Sequence, residues 1–178
     1  MKLSTGRILV GLILVLTVGL VWTVAGTMQV RVVNAGDTAP NFSIVTEHGR
    51  TVTRSDFGGK LLVLNFWASW CPPCISELPS LNQFAQEYAG QGVVVLGVSI
   101  DKNESLYKRF LMQRHVAFDT ARDPQADIST SYGTFLIPET YIIDKNGKVL
   151  EKVISDQDWM DPQFVARVKG MLASPAGG

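Results

Sequence analysis

The chain predicts an α/β domain around a mixed sheet, because short apolar runs alternate with segments of helical periodicity before a hairpin and an amphipathic helix. The runs are Leu61–Phe66 and Val93–Ile100, the hairpin joins Thr140–Ile143 to Lys148–Ile154 across an Asn146-Gly147 turn, and the helix opens at Asp161-Pro162. A net charge of +0 over 178 residues gives no reason to expect nucleic acid or an acidic surface as partner. Setting aside one long uncharged stretch near the N-terminus leaves roughly 140 residues, the size of one domain.

Met1 to Arg7 carries Lys2 and Arg7 without an acid, and Ile8 to Ala25 is then uninterrupted and uncharged. As a helix that stretch spans roughly 27 Å, close to the thickness of bilayer hydrocarbon. Residues 1–7 are therefore predicted as a cytoplasmic N-terminus, 8–25 as a transmembrane anchor, 26–36 as a tether, 37–174 as the folded domain and 175–178 as a disordered tail. A cleaved signal peptide is the alternative, given the basic start and Thr23-x-Ala25, although the run exceeds the ~7–15 apolar residues of such a segment. Lys2 and Arg7 before the span, against Arg31 after it, favour an N-in orientation that puts the domain outside the cytoplasm.

Within the domain, Phe42–Val45 and Thr51–Thr53 flank Glu47-His48-Gly49-Arg50 as a first hairpin, followed by a turn at Ser55-Asp56-Phe57 with Gly58-Gly59. The helix after Leu61–Phe66 is expected to bury Ile75, Leu78, Leu81, Ala85 and Tyr88, to kink at Pro79, and to stop near Gly90 and Gly92. A helix over Glu104–Arg114 sets Leu106, Tyr107, Phe110 and Leu111 on one face, Val116–Phe118 is a strand candidate, and Asp123-Pro124 opens a short helix through Tyr132. The last helix buries Phe164, Val165, Val168, Met171 and Leu172.

The two cysteines, Cys71 and Cys74, sit where the strand Leu61–Phe66 hands over to a helix. A thiolate on a first helical turn faces unpaired N–H groups and the positive end of the macrodipole, and Cys71 is expected to be exposed at the helix entry, which together make it the expected nucleophile. Cys74, one turn inward on the same face, can attack a mixed disulfide at Cys71 and release product, so the pair reads as a redox couple. A zinc site lacks its other ligands, since His48 and His115 stand at no ligand spacing and read as solvated; no metal is expected. A structural disulfide closing so small a loop would restrain the unfolded chain little.

Trp70-Cys71-Pro72-Pro73-Cys74 resembles the active-site signature of the thioredoxin superfamily. More closely, Phe66-Trp67-Ala68-Ser69-Trp70-Cys71-x-x-Cys74-x-x-Glu77-x-Pro79 and Pro138-Glu139-Thr140-Tyr141-x-Ile143-Asp144-x-x-Gly147 resemble the TlpA/ResA-like membrane-anchored thioredoxins, over about Gly36 to Leu172. That resemblance implies a thioredoxin-like fold, a central mixed sheet flanked by helices with an extra N-terminal hairpin. It implies a cis proline at Pro138 facing the sulfurs, with Trp70 and Ile137 beside it on the substrate surface, Ile137 being larger than the residue expected there. It also implies a functional acid at Glu77, where a partly buried carboxyl can carry the proton of the inner thiol; a first-turn carboxylate favoured by the helix dipole is the plainer reading. Glu139 reads as a solvated charge.

The activity so implied is reduction of protein disulfides outside the cytoplasm without a cofactor, with apocytochrome c during cytochrome c maturation as a substrate of this family. Because such a compartment is oxidising, a transmembrane electron-donor protein is implied as partner. An oxidase direction is chemically open, since the motif does not set the potential. Two other functions compete. Gly36-Asp37-Thr38-Ala39-Pro40-x-Phe42 also resembles peroxiredoxins, but Cys71 stands where their Thr-x-x-Cys motif needs threonine. A copper-delivery protein of related fold would need a third ligand beside the cysteines.

Overall fold

The computed structural model describes residues 5–27 and 32–173. The first four residues, positions 28–31 of the expected tether and the expected tail at 175–178 lie outside the described residues. The chain divides into two units, Met1–Arg31 and Val32–Gly178. In the first, α1 (Thr5–Thr27) is one helix whose Gly6–Thr23 stretch has a mean hydropathy of 2.0, long and apolar enough to cross a membrane. Two of its threonines bond back to the helix: Thr17 Oγ1 donates to the Leu14 carbonyl at 3.0 Å and Thr23 Oγ1 to that of Leu20 at 2.8 Å.

The second unit is built on a five-stranded sheet. Its strands are β3 (Leu61–Trp67), β4 (Val93–Ser99), β5 (Asp119–Arg122), β6 (Glu139–Ile143) and β7 (Val149–Ile154), in the order β5-β4-β3-β6-β7. β3, β4 and β5 run parallel, while β6 and β7 run antiparallel, which makes the sheet mixed. A separate hairpin, β1 (Ser43–Val45) with β2 (Thr51–Thr53), turns through Gly49 at φ +74°. Asn146-Gly147 closes β6 onto β7, Gly147 taking the φ of +84° that a side chain would strain. Residues 32–36 are already held by the domain: Val33 is buried, and its N–H donates to the Tyr132 carbonyl at 3.0 Å.

Every residue of β3 is buried, so both faces of the sheet are covered. On the face of Leu61 and Val63 lie α2 (Pro72–Tyr88) and α5 (Pro162–Ala173), which supply Leu81, Phe84, Tyr88, Phe164 and Val168. Trp67 has the same parity along β3, and there α3 (Glu104–Arg114) brings Tyr107 and Phe110 against it and the cysteines. The other face, with Leu62, Leu64 and Phe66, packs against Phe42, Ile44 and Val52 of the hairpin region and against Tyr132, just after α4 (Asp127–Ser131).

Several elements depart from the sequence expectation. Val116–Phe118 is loop, and β5 instead takes Asp119–Arg122, whose charged ends hide it from hydrophobic reading although pairing with β4 buries Thr120 and Ala121. The helix expected from Asp123 shrinks to α4, because the Asp123 carboxylate accepts from Asp127 N–H at 3.1 Å and Ile128 N–H at 2.8 Å as a loop anchor. α2 buries Phe84 and leaves Ile75 only partly covered, while Pro79 lies inside it and it ends, as expected, through a 3-10 turn at Gly92. Leu106 is exposed, and Tyr107 is the buried residue of α3, its hydroxyl 2.6 Å from Thr120 Oγ1.

Candidate active site

β3 ends at Trp67, three residues make a turn, and Cys71 caps α2 with φ −94° and ψ 109°. Pro72 and Pro73 follow at the first helical positions, where a missing N–H costs nothing. Cys71 and Cys74 are joined as a disulfide with Cα atoms 5.3 Å apart. The Cys74 N–H points at Cys71 Sγ from 3.3 Å, so a free backbone donor of the helix start is aimed at that sulfur. The expectation of an exposed Cys71 needs correction. Its exposure is 3%, against 5% for Cys74. Trp67, Tyr107 and Ile137 crowd both residues from the sides, whereas Trp70 turns outward and is 64% exposed.

Ile137-Pro138 is a cis peptide, and it leads directly into β6. The Ile137 carbonyl oxygen lies 3.6 Å from Cys71 Sγ, which places this loop over the sulfur pair. Ser155 N–H donates to the Pro138 carbonyl at 3.0 Å, tying the loop to the end of β7. Trp70, Cys71 and Cys74 of one sequence motif and Ile137 and Pro138 of the other thus lie at one end of the sheet, where β3 finishes and β6 begins.

Glu77 is buried in the second turn of α2, beyond the reach of the N-terminal dipole that would explain a first-turn acid. Asn65 Nδ2 donates to its Oε1 at 2.9 Å; Trp159 Nε1 at 3.1 Å and Gln157 N–H at 3.3 Å donate to Oε2. The carboxyl is raised to about 7: burial pushes it up, the three donors offset part of that, and nearby Asp156 adds a small upward push. A carboxyl that titrates near neutrality one helical turn from Cys74 is suited to take or give a proton there. Asn65, Trp159 and Thr140, whose Oγ1 accepts from Asn65 Nδ2 at 2.8 Å, were not anticipated. A sequence signal existed for Asn65, the lone amide in an apolar strand.

A second buried carboxylate holds the turn before Cys71. Asp101, after β4, accepts from Ser69 N–H and Ser69 Oγ at 2.8 Å each and from Ser99 Oγ at 2.6 Å. Ser69 is two residues from Cys71, so this clamp fixes where the turn into Cys71 begins.

Glu139, expected to be a solvated charge, is buried and paired with Lys152 at 2.5 Å, because β6 is an interior strand with both faces covered. His48 is exposed beside Glu47 at 3.5 Å. Among the described residues, Glu47, His48 and Asp119 form the group near enough to hold a metal, and it includes neither cysteine. Arg50 already pairs with that Asp119 at 2.6 Å.

The profile of the AhpC/TSA family matches residues 35–152, which takes in the first hairpin, both cysteines and the cis proline. The chain belongs to the AhpC/TSA family. Within it the chain is similar to proteins named thiol-disulfide oxidoreductase ResA. The one from Bacillus thuringiensis subsp. konkukian is 34% identical over 122 residues, 68% of this chain and 70% of the relative. The one from Oceanobacillus iheyensis is 32% identical over 148 residues, covering 80% and 77%. Among solved structures, the thiol:disulfide interchange protein assigned as DsbE from Chlorobium tepidum superposes with a TM-score of 0.74 at 31% identity, over 80% of this chain and all of that one. With a thioredoxin-like fold and a Cys-x-x-Cys disulfide, this member of the AhpC/TSA family is a thiol–disulfide oxidoreductase.

Proposed function

We propose that the protein is a membrane-anchored reductase of protein disulfides outside the cytoplasm, with Cys71 as nucleophile, Cys74 as resolving thiol and Glu77 as proton carrier. The observation that carries this reading is one sulfur facing a free helix N–H, with the Ile137 carbonyl of the cis Ile137-Pro138 peptide beside it and, one helical turn past Cys74, a buried carboxyl titrating near 7.

In the reduced enzyme the Cys71 thiolate attacks one sulfur of a substrate disulfide, forms a Cys71–substrate disulfide and expels the other substrate sulfur as thiolate. Cys74 passes its proton to the Glu77 carboxylate and attacks Cys71 Sγ, which releases the second substrate thiolate and leaves the Cys71–Cys74 disulfide. Two electrons pass from enzyme to substrate; the Cys74 proton rests on Glu77 and leaves it to solvent, and the two substrate thiolates take their protons from solvent. Trp70, Ile137 and Pro138 bound the surface where the substrate strand lies. Regeneration needs two electrons from a dithiol partner, which in an oxidising compartment must draw on the other side of the membrane. The resemblance to TlpA/ResA-like proteins suggests apocytochrome c as substrate.

Anchoring is supported by the length and apolarity of α1, and its N-in direction by Lys2 and Arg7 against Arg31. The full chain is expected to remain with membranes through an alkaline carbonate wash at its full length. After reduction, Cys71 is expected to react with a membrane-impermeant thiol reagent added on the extracytoplasmic side. Recovery of a shortened soluble chain would overturn the anchor.

A further inference from the structure

We infer that Phe135 and Leu136, together with Trp70, form an apolar reading surface that selects disulfides whose cysteine is flanked by bulky uncharged residues in an extended segment of the substrate protein. The inference rests on disulfide exchange at Cys71. Phe135 is 68% and Leu136 73% exposed, two adjacent large apolar side chains left in water. Both lie within two residues of Ile137, whose carbonyl is 3.6 Å from Cys71 Sγ, and Trp70, 64% exposed, immediately precedes Cys71. The other exposed large apolar residues described in the same unit, Val32, Val45, Leu106, Met112 and Ile154, stand singly, no two of them adjacent in the chain. Single exposed apolar residues need no explanation, but a pair beside a reacting bond together with an exposed tryptophan does.

Charge points to the same occupant. Leu61 to Ser76 contains no Asp, Glu, Lys, Arg or His, and neither does Ile128 to Pro138, so both strips that border the disulfide are uncharged. The two acids that follow them, Glu77 and Glu139, are buried. A substrate sulfur bonded to Cys71 must pass beside the Ile137 carbonyl. At about 3.3 Å per residue, an extended chain then sets the first or second neighbours of its cysteine within reach of Trp70 on one side and Phe135-Leu136 on the other. Charged neighbours there would lose water without gaining a partner.

The test uses the reduced full chain in nanodiscs and two decapeptides, each with one cysteine carried as a mixed disulfide with thionitrobenzoate. In one peptide the cysteine is flanked by leucines, in the other by aspartates. Attack of Cys71 on the peptide sulfur forms the Cys71–peptide disulfide and releases the coloured thiolate, and each rate is divided by that with dithiothreitol to remove intrinsic reactivity. The wild type is expected to prefer the leucine peptide by about tenfold, the low end for apolar discrimination because the surface is open. F135S/L136S should reduce the preference to about twofold or less, and Leu136→Lys should raise the rate with the aspartate peptide. Partitioning into the disc is the same for every variant, so these ratios report the protein surface. Equal wild-type rates, or a preference untouched by F135S/L136S, would overturn the inference while leaving exchange itself intact. Release of the coloured thiolate from neither peptide would overturn the exchange reading beneath it.

Discussion

With Cys74 replaced by serine, the enzyme is expected to stop half-way, holding its substrate as a disulfide on Cys71. Exposure does not choose between the sulfurs, since both are buried. Position does: the Cys74 N–H is aimed at Cys71 Sγ, the Ile137 carbonyl adjoins it, and the neighbouring Trp70 opens to solvent. Thiolate character should therefore concentrate on Cys71. Cys74→Ser removes the group that resolves the mixed disulfide, so a covalent complex is expected on a non-reducing gel and should vanish on reduction. Cys71→Ser should trap little, because its remaining thiol lies one turn further in. Turnover of insulin disulfides should fall on the order of a thousandfold or more in both, the scale for losing a nucleophile. Equal trapping by the two variants would reverse or dissolve the assignment.

Glu77→Gln is expected to change how both stability and reactivity depend on pH. The folded value near 7 stands above the ordinary 4.5, so the fold favours the protonated acid. Below pH 4.5 that preference is fully present; between 4.5 and 7 the unfolded chain ionises first and stability falls; above 7 the loss is complete. The shift corresponds to about 3 kcal/mol. Urea unfolding of the oxidised protein should show the wild-type advantage over Glu77→Gln shrinking by about that amount across this window. Glutamine also turns an amide toward Asn65 on one side or Trp159 and Gln157 on the other, all of them donors, at a cost of about 1–2 kcal/mol at every pH. For the dithiol, alkylation of Cys74 should lose the inflection near pH 7 that Glu77 gives it. An unchanged profile would reduce Glu77 to a structural bond between α2 and the loop before α5.

What could be read beforehand was whatever a local pattern carries. β3, β4, α2, α3, α5 and both hairpins follow from apolar periodicity and turn residues, and the redox pair follows from two cysteines at a strand–helix junction. β5 escaped because Asp119 and Arg122 make it look like loop, and its identity as a strand comes only from pairing with β4. Glu139 escaped for a related reason: whether a charge beside a proline is solvated depends on what covers β6, and Lys152 arrives from the neighbouring strand. The donors around Glu77 come from β3, from Gln157 and from Trp159, up to 82 residues away in sequence. No window of sequence holds them together. Exposure of Cys71 was misjudged in the same way, since its cover comes from α3 and the loop before β6.

The reductase reading is tested most directly by the reduction potential of the Cys71–Cys74 couple, obtained by equilibrating the full chain in defined thiol–disulfide buffers and counting free thiols. A protein that delivers electrons to substrate disulfides is predicted to lie near the ~−270 mV of thioredoxin. A value near the ~−120 mV of DsbA would make the couple an oxidant and contradict the account.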